Sequence, residues 1–247
     1  MGDFVWFAKI YDDSVLLNID KKEHFIRVKN CCYIKKNNEN FYLLCHDKVW
    51  CFSEKIYKNF FVVNSDSNVV KVKNKIYISG EDTGCIYVYD FNGELCTLTK
   101  LGEHIADFEI LDDCIYGITY NDNILIKTNF KEKNSSIFLD MVPQRIIIKK
   151  YIYLLLNDGY YSAIKMLDTD LNMLKFIPFE RQIGDLFFYY DKIIFSGTEY
   201  NYILSENLTL LSKKKSTGEI LCRFSDMPIF ENTKNALDIV NNIIYPL

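Results

Sequence analysis

Apolar and polar positions alternate along this chain in short bursts, and residues 106–140 show the unit most clearly. Asp107-Phe108-Glu109-Ile110-Leu111 reads as a first strand turned by Asp112-Asp113. Ile115-Tyr116-Gly117-Ile118-Thr119-Tyr120 reads as a second, ending at the polar corner Asn121-Asp122-Asn123. Ile124-Leu125-Ile126-Lys127-Thr128 is a third, and Ser136-Ile137-Phe138-Leu139 a fourth across the charged turn Lys131-Glu132-Lys133-Asn134. Each piece is rich in β-branched and aromatic residues and bounded by Asn, Asp or Gly, which is the signature of a strand. No segment combines helix length, a 3.6-residue period and caps.

The unit recurs. Val5-Trp6-Phe7, Asn40-Phe41-Tyr42, Lys75-Ile76-Tyr77, Cys114-Ile115-Tyr116, Tyr151-Ile152-Tyr153, Lys192-Ile193-Ile194 and Met227-Pro228-Ile229 open seven copies, at steps of 35, 35, 39, 37, 41 and 35 residues. Trp6 to Leu17 lies over Ile115 to Ile126 without a gap, and Pro228 to Thr233 matches Ile193 to Thr198. A period in this range marks a repeat architecture. Four short antiparallel strands cannot bury both of their faces alone, whereas radial stacking lets each sheet cover its neighbours. The expected fold is therefore all-β: one β-propeller domain over residues 1–247, of seven blades with four short antiparallel strands each. The first copy starts at its second strand. The last offers Leu221–Phe224, Ile229–Phe230, Leu237–Val240 and Ile243–Leu247. The alternative is six blades, with Leu221–Phe224 completing the first blade and residues 227–247 forming a strap.

The copy at 69–100 carries Ile86-Tyr87-Val88-Tyr89-Asp90-Phe91-Asn92-Gly93-Glu94, whose Asn-Gly suits a tight turn with positive φ. On these residues the chain resembles YVTN-type and other quinoprotein-like bacterial propellers. That resemblance identifies a blade and implies no single activity. Recurring Trp-Asp or Gly-His pairs and kelch double glycines are absent.

Composition narrows the function classes. A net charge of −4 argues against a nucleic-acid binder, which needs a basic face. Lys213-Lys214-Lys215 is the one obvious basic run and reads as a solvated turn. No apolar stretch is long enough to span a bilayer as a helix. Met1-Gly2-Asp3 leads straight into strand-like sequence with neither a basic n-region nor an apolar h-region. The eight cysteines contain no CxxC pair. The expectation is a cytoplasmic chain with reduced, mostly buried thiols.

Propeller topology brings two loop sets to one face: the connections from a fourth strand to the next first strand, and the corners between second and third strands. Just before the innermost strand, alignment equates Asn68, Asp107, Gln144 and Asp185. Glu103, His104, Arg181 and Gln182 come just earlier, with Arg145 just after Gln144. These funnel-face residues, Glu103, His104, Asp107, Gln144, Arg145, Arg181, Gln182 and Asp185, are the candidate ligand- or partner-binding set. The corner set (Asp12, Asp13, Glu81, Asp82, Asn121, Asp122, Asn157, Asp158, Glu199, Asn201) reads first as turn formers.

Catalytic templates find little here. The histidines are His24, His46 and His104; alignment puts His24 at an outer turn and His46 at a corner, so they do not cluster. No P-loop, dinucleotide fingerprint or nucleophile motif is present. Asp168-Thr169-Asp170-Leu171-Asn172 begins like a calcium loop but lacks its glycine and distal glutamate, and reads as an outer turn. Two readings follow. One is a non-enzymatic scaffold, without cofactor, that presents one face to a protein partner and binds neither nucleic acid nor membrane. The other is a small-molecule hydrolase or lyase using the carboxylates of Glu103, Asp107 and Asp185 with Gln144, with or without a divalent cation.

Overall fold

The structure is a computed structural model that describes residues 6–230, except 12–13, 20–21, 29–30, 38–39, 46–47, 54–55, 63–68, 81–82, 92, 130–133, 180, 190, 216–219 and 225–226. The chain divides into two compact units, Met1–Lys100 with Arg223–Ser225 and Leu101–Cys222 with Asp226–Leu247.

In the first unit, β1 (Trp6–Tyr11), β2 (Ser14–Ile19) and β3 (Lys22–Ile26) make a three-stranded sheet. A four-stranded sheet follows from β4 (Cys31–Asn37), β5 (Asn40–Cys45), β6 (Lys48–Ser53) and β7 (Ile56–Val62). The next contains β8 (Val70–Val72), β9 (Ile76–Gly80), β10 (Cys85–Tyr89) and β11 (Leu95–Lys100). The second unit holds three more sheets of four. They are β12 (Ile105–Leu111), β13 (Cys114–Thr119), β14 (Ile124–Thr128) and β15 (Ser135–Phe138); β16 (Val142–Ile148), β17 (Ile152–Asn157), β18 (Ser162–Leu167) and β19 (Met173–Phe179); and β20 (Gly184–Tyr189), β21 (Lys192–Gly197), β22 (Tyr200–Ser205) and β23 (Leu210–Lys215). β24 (Ile220–Phe224) and β25 (Met227–Phe230) pair with each other.

Six of the seven repeat openings start the second strand of a sheet, the opening at Trp6 starts β1, and the described residues form seven antiparallel sheets ordered along the chain. Among the described residues β24 pairs with β25, and six further sheets of three or four strands precede them. The two strands expected at 237–247 lie outside the described residues. Trp6 pairs with Ile19 as Ile115 pairs with Thr128, so the gapless alignment of these two copies reflects one shared register.

Burial explains the pattern. Every residue of β9 and β18 is buried, the polar Ser79, Ser162 and Lys165 included. The fourth strands β11, β15 and β23 are exposed along most of their length. Lys213-Lys214-Lys215 belongs to β23 and not to a turn: it guards an open sheet edge, where lysines discourage further pairing. His24 likewise stands inside β3 instead of at an outer turn.

In the second unit β17 serves two cores at once. Ile152, Leu154 and Leu156 pack with Ile118, Leu125 and Ile146. Tyr153 and Leu155, on the alternate face, pack with Leu186, Ile193 and Phe195. Stacked rings of Phe179 and Phe195, 4.1 Å apart, fill the second core. In the first unit Tyr42 of β5 packs on Val70, Ile76 and Ile78 in the same way.

The turns between third and fourth strands share a design. In Asp90–Glu94, Asp168–Asn172 and Ser205–Thr209 the first residue donates its N–H to the carbonyl of the fifth and accepts the fifth residue's N–H on its side chain. The fourth residue takes positive φ: Gly93 at 86°, Leu171 at 70° and Leu208 at 54°. Two of these are leucines because burying the side chain offsets the backbone strain; Leu208 is 1% exposed. Asp168 holds Asp170 N–H, Asn172 N–H and Asn172 Nδ2, and these bonds, chiefly that from Asn172, lower its carboxyl below the usual range. It acts as a turn former. The preceding sheet then ties into these turns. Lys127 Nζ donates to Thr169 O (2.9 Å) and Lys175 Nζ to Asn207 O and Leu208 O (3.0 Å each). Tyr153 OH donates to Glu206 O (2.8 Å), and burial pushes its phenol well above the ordinary range.

A Cβ on Gly184 would run into Ser196 O and approach Gly197 Cα and Phe195 Cζ to 2.8 Å. Gly159, at φ 93°, has open space around it. In urea unfolding Gly184→Ala should cost about 2 kcal/mol. Gly159→Asn should cost under about 1 kcal/mol, because Asn tolerates positive φ.

Candidate functional site

The first strands of the second unit carry a repeated irregularity. The register of β12 shifts between Ile105 and Asp107, and that of β16 between Pro143 and Arg145, so Ala106 and Gln144 are bulge residues without a cross-strand partner. Asp107 then faces Ile118, Arg145 faces Leu155 and Asp185 faces Ser196, three equivalent places on their second strands. The residue equivalent to Asp107 and Asp185 is therefore Arg145, one position after the Gln144 to which the sequence alignment points, and all three lie within the first strands and not before them. In β9, Ser79 is bonded to Val69, so the first-unit equivalent is Val69 in place of Asn68, which lies outside the described residues.

The shift joins three neighbouring strands. Asp107 is 1% exposed; its Oδ1 accepts Phe108 N–H (2.9 Å) and its Oδ2 accepts Ile146 N–H from β16 (3.2 Å). Arg145 Nη1 lies 3.6 Å from the same Oδ2, while Arg145 Nε lies 3.5 Å from Asp185 Oδ1 on β20. Asp185 also accepts Leu186 N–H at 2.7 Å. One guanidinium thus stands between two carboxylates, both already satisfied by backbone donors. That arrangement resembles a structural clamp more than a reactive pair, because a cation bridging the two already fills the place a metal would need. Among the described residues no group of His, Cys, Asp or Glu side chains is placed to hold a metal ion.

The remaining candidates divide. Gln182 is buried: its Nε2 donates to Tyr202 OH (2.6 Å), its Oε1 accepts Tyr200 N–H (3.1 Å) and its carbonyl accepts Ser162 N–H (2.9 Å). It holds strands together. Glu103, His104 and Arg181 are exposed on connecting loops, with His104 and Arg181 at φ 52° and 54°. Gln144 is partly exposed at its bulge. The structure therefore brings Asp107, Arg145 and Asp185 together and leaves Glu103, His104 and Arg181 on the loops.

Backbone bonds place the two loop sets on one face. Tyr120 N–H donates to His104 O (3.0 Å), Leu139 N–H to Asn123 O (2.8 Å) and Thr198 N–H to Ile183 O (3.0 Å). The corner residues behave as turn formers: Asn157 Oδ1 holds Gly159 N–H, and Asp158 Oδ1 holds Tyr160 and Tyr161 N–H. Asn201 Oδ1 accepts the buried Ser196 hydroxyl (2.6 Å). Asp12, Asp13, Glu81 and Asp82 lie outside the described residues. Sequence reasoning passed over Tyr120 and Tyr160, which stand 41% and 84% exposed on these corners. The signal was available, since a bulky aromatic in a polar corner has no sheet face to fill.

No family model matches the sequence, and no curated protein matches it. Solved structures do. BBS1N, crystallised in complex with ARL6DN, superposes at a TM-score of 0.72 and 10% identity, over 88% of this chain and 79% of that one. Virginiamycin B lyase from Staphylococcus aureus gives 0.69 at 12%, over 92% and 88%. The chain is a β-propeller. The Neurospora crassa Pan2 WD40 domain (0.59 at 12%, over 75% and 65%) is a further neighbour, although this propeller lacks recurring Trp-Asp pairs. At these identities the likeness is one of fold, and activity has to be argued from the site.

Replacing Arg145 by Met leaves the Asp107 carboxylate buried between blades without its guanidinium, and should cost about 2–3 kcal/mol in chemical unfolding. Adding Asp107→Asn should recover a measurable part of that loss, as contacting partners are non-additive.

Proposed function

We propose that this propeller is an interaction scaffold that presents its loop-bearing face to a protein partner. The observation that carries the reading is the clamp: the two carboxylates best placed for chemistry, Asp107 and Asp185, are held by Arg145 and by backbone N–H groups. The exposed residues of the same face, Glu103, His104 and Arg181, are free of the core and suit recognition. Support from likeness is general: BBS1N was solved in complex with ARL6DN, and WD40 propellers share the fold. The free thiols among the described residues, with Cys31 and Cys45 buried and opposite each other in β4 and β5, suit a reducing cytoplasm. Nothing in the acidic balance favours nucleic acid or an anionic membrane surface.

A second reading, a small-molecule lyase or hydrolase, is favoured by the likeness to virginiamycin B lyase over 92% of the chain. A tightly bound stoichiometric metal in the purified protein would support it.

The test is site-specific photo-crosslinking in cells of the source organism. A photoreactive residue at Arg181 or Glu103 should capture one discrete partner. The same residue at Asp170 or Asp191, in turns at the other end of the blades, should not. Capture from Asp170 or Asp191 alone would move the interaction to the other end.

A further inference from the structure

We infer that Cys31 and Cys45 are a reversible disulfide site, a dithiol that low-molecular-weight disulfides oxidise. The site goes beyond the scaffold reading and does not depend on it. Cys31 opens β4, Cys45 closes β5, and the two are direct cross-strand partners. Antiparallel partners project from the same face of a sheet, so the two side chains are neighbours. Both residues are buried thiols. The other cysteines with a cross-strand partner face something else: Cys51 faces Tyr42 and Lys58, Cys85 faces Gly80 and Lys100, and Cys114 faces Leu111. Among the described residues this is the one register pair made of two cysteines.

Equivalent blades define the geometry of the pair. The register of β4 shifts between Cys31 and Tyr33, as that of β12 does between Ile105 and Asp107. Cys31 and Cys45 therefore stand where Ile105 faces Thr119 and, in the unbulged β20, where Gly184 faces Gly197. Those two pairs are spanned by Tyr120 N–H to His104 O and by Thr198 N–H to Ile183 O, each 3.0 Å. Bonds that reach around a pair mark the non-hydrogen-bonded position, where Cα atoms are about 4.5 Å apart and side chains come closest. A disulfide accepts Cα separations from about 4.4 Å upward, so the backbone is already in range. Its Cβ atoms need about 3.8 Å, against about 4.5–5.5 Å for ordinary cross-strand pairs, so the strands must draw together a little. The bulge at Cys32 interrupts the ladder beside the pair and supplies that give. A bond closed in this way is strained, and strained disulfides are the readily reduced ones.

The chemistry is thiol–disulfide exchange. One cysteine loses its proton and its thiolate attacks a sulfur of the small disulfide, whose S–S bond breaks and releases one thiolate. The second cysteine, deprotonated in turn, attacks the mixed disulfide and displaces the other half. Two protein thiols are oxidised by two electrons, one small disulfide is reduced to two thiols, and the two cysteine protons pass to them. Access comes from the ends of β4 and β5, where local opening costs least. In a reducing cytoplasm the pair stays open; a rise in small disulfides closes it and pins the bulged end of this blade.

The experiment treats the reduced full chain with oxidised glutathione, blocks remaining thiols by alkylation and maps the tryptic peptides by mass spectrometry. The native wild type should give one cross-linked product, joining Cys31 to Cys45, and dithiothreitol should remove it without denaturant. The chain in urea should instead give several pairings. Cys31→Ser and Cys45→Ser should each lower the native cross-link yield at least about tenfold, and Cys32→Ser should leave it within about twofold. Native products that carry only glutathione on these cysteines, or a cross-link lost in Cys32→Ser and kept in Cys31→Ser, overturn the pairing. A cross-link that dithiothreitol removes only in urea overturns its reversibility. The wild-type map decides the matter even where a serine variant fails to fold.

Discussion

Everything in this molecule depends on covering both faces of the inner strands. A β-strand in water can leave one face wet; strands such as β9 and β18 leave neither. β17 shows the consequence within a single strand, since its even residues belong to the core shared with β12–β15 and its odd residues to the core shared with β20–β23. Copies of one unit are the economical way to meet that requirement, because every sheet then supplies the lid for the next. The fourth strands, which have no further neighbour to cover them, are where exposure and lysine return.

Apolar cover alone would let blades slide. Polar ties fix their offsets at both ends. At one end, third-strand and fourth-strand lysines and Tyr153 donate to the outer-turn carbonyls of the next blade. At the other, the bulges at Ala106 and Gln144 turn Asp107 and Arg145 so that a carboxylate of one blade takes a backbone N–H of the next. Arginine suits the middle place because its donors reach two carboxylates at once from a planar group. The polar residues of the inner strands thus set blade register, and the loops above them are left to meet other molecules.

Much of this was legible in the sequence. The seven openings and the run Ile152-Tyr153-Leu154-Leu155-Leu156 encode strand type and repeat count directly, because both follow from local apolar spacing. The correspondence of Asp107 with Arg145 was not legible. A bulge adds a residue without altering the apolar pattern of the neighbouring strand, so alignment on Ile115 and Ile152 pointed to Gln144. In the sequence Gln182 looks like a funnel residue because a polar side chain beside a first strand looks exposed; its burial depends on Tyr200 and Tyr202, 18 and 20 residues away in the chain. The exposure of Tyr160 was hidden for the opposite reason, since tyrosine elsewhere in this chain fills the core.

The account's central claim is that Asp107, Arg145 and Asp185 hold blades together while the loops above them do the recognising. Amide hydrogen exchange tests it most directly. The Ile146 N–H, donated to Asp107 across the blade boundary, should exchange only through global unfolding, together with Phe108 and Leu186 and far more slowly than Tyr120 or Gly159 on the loops. Exchange of Ile146 at loop rates in the intact protein would contradict the clamp and return the two carboxylates to the list of groups free for chemistry.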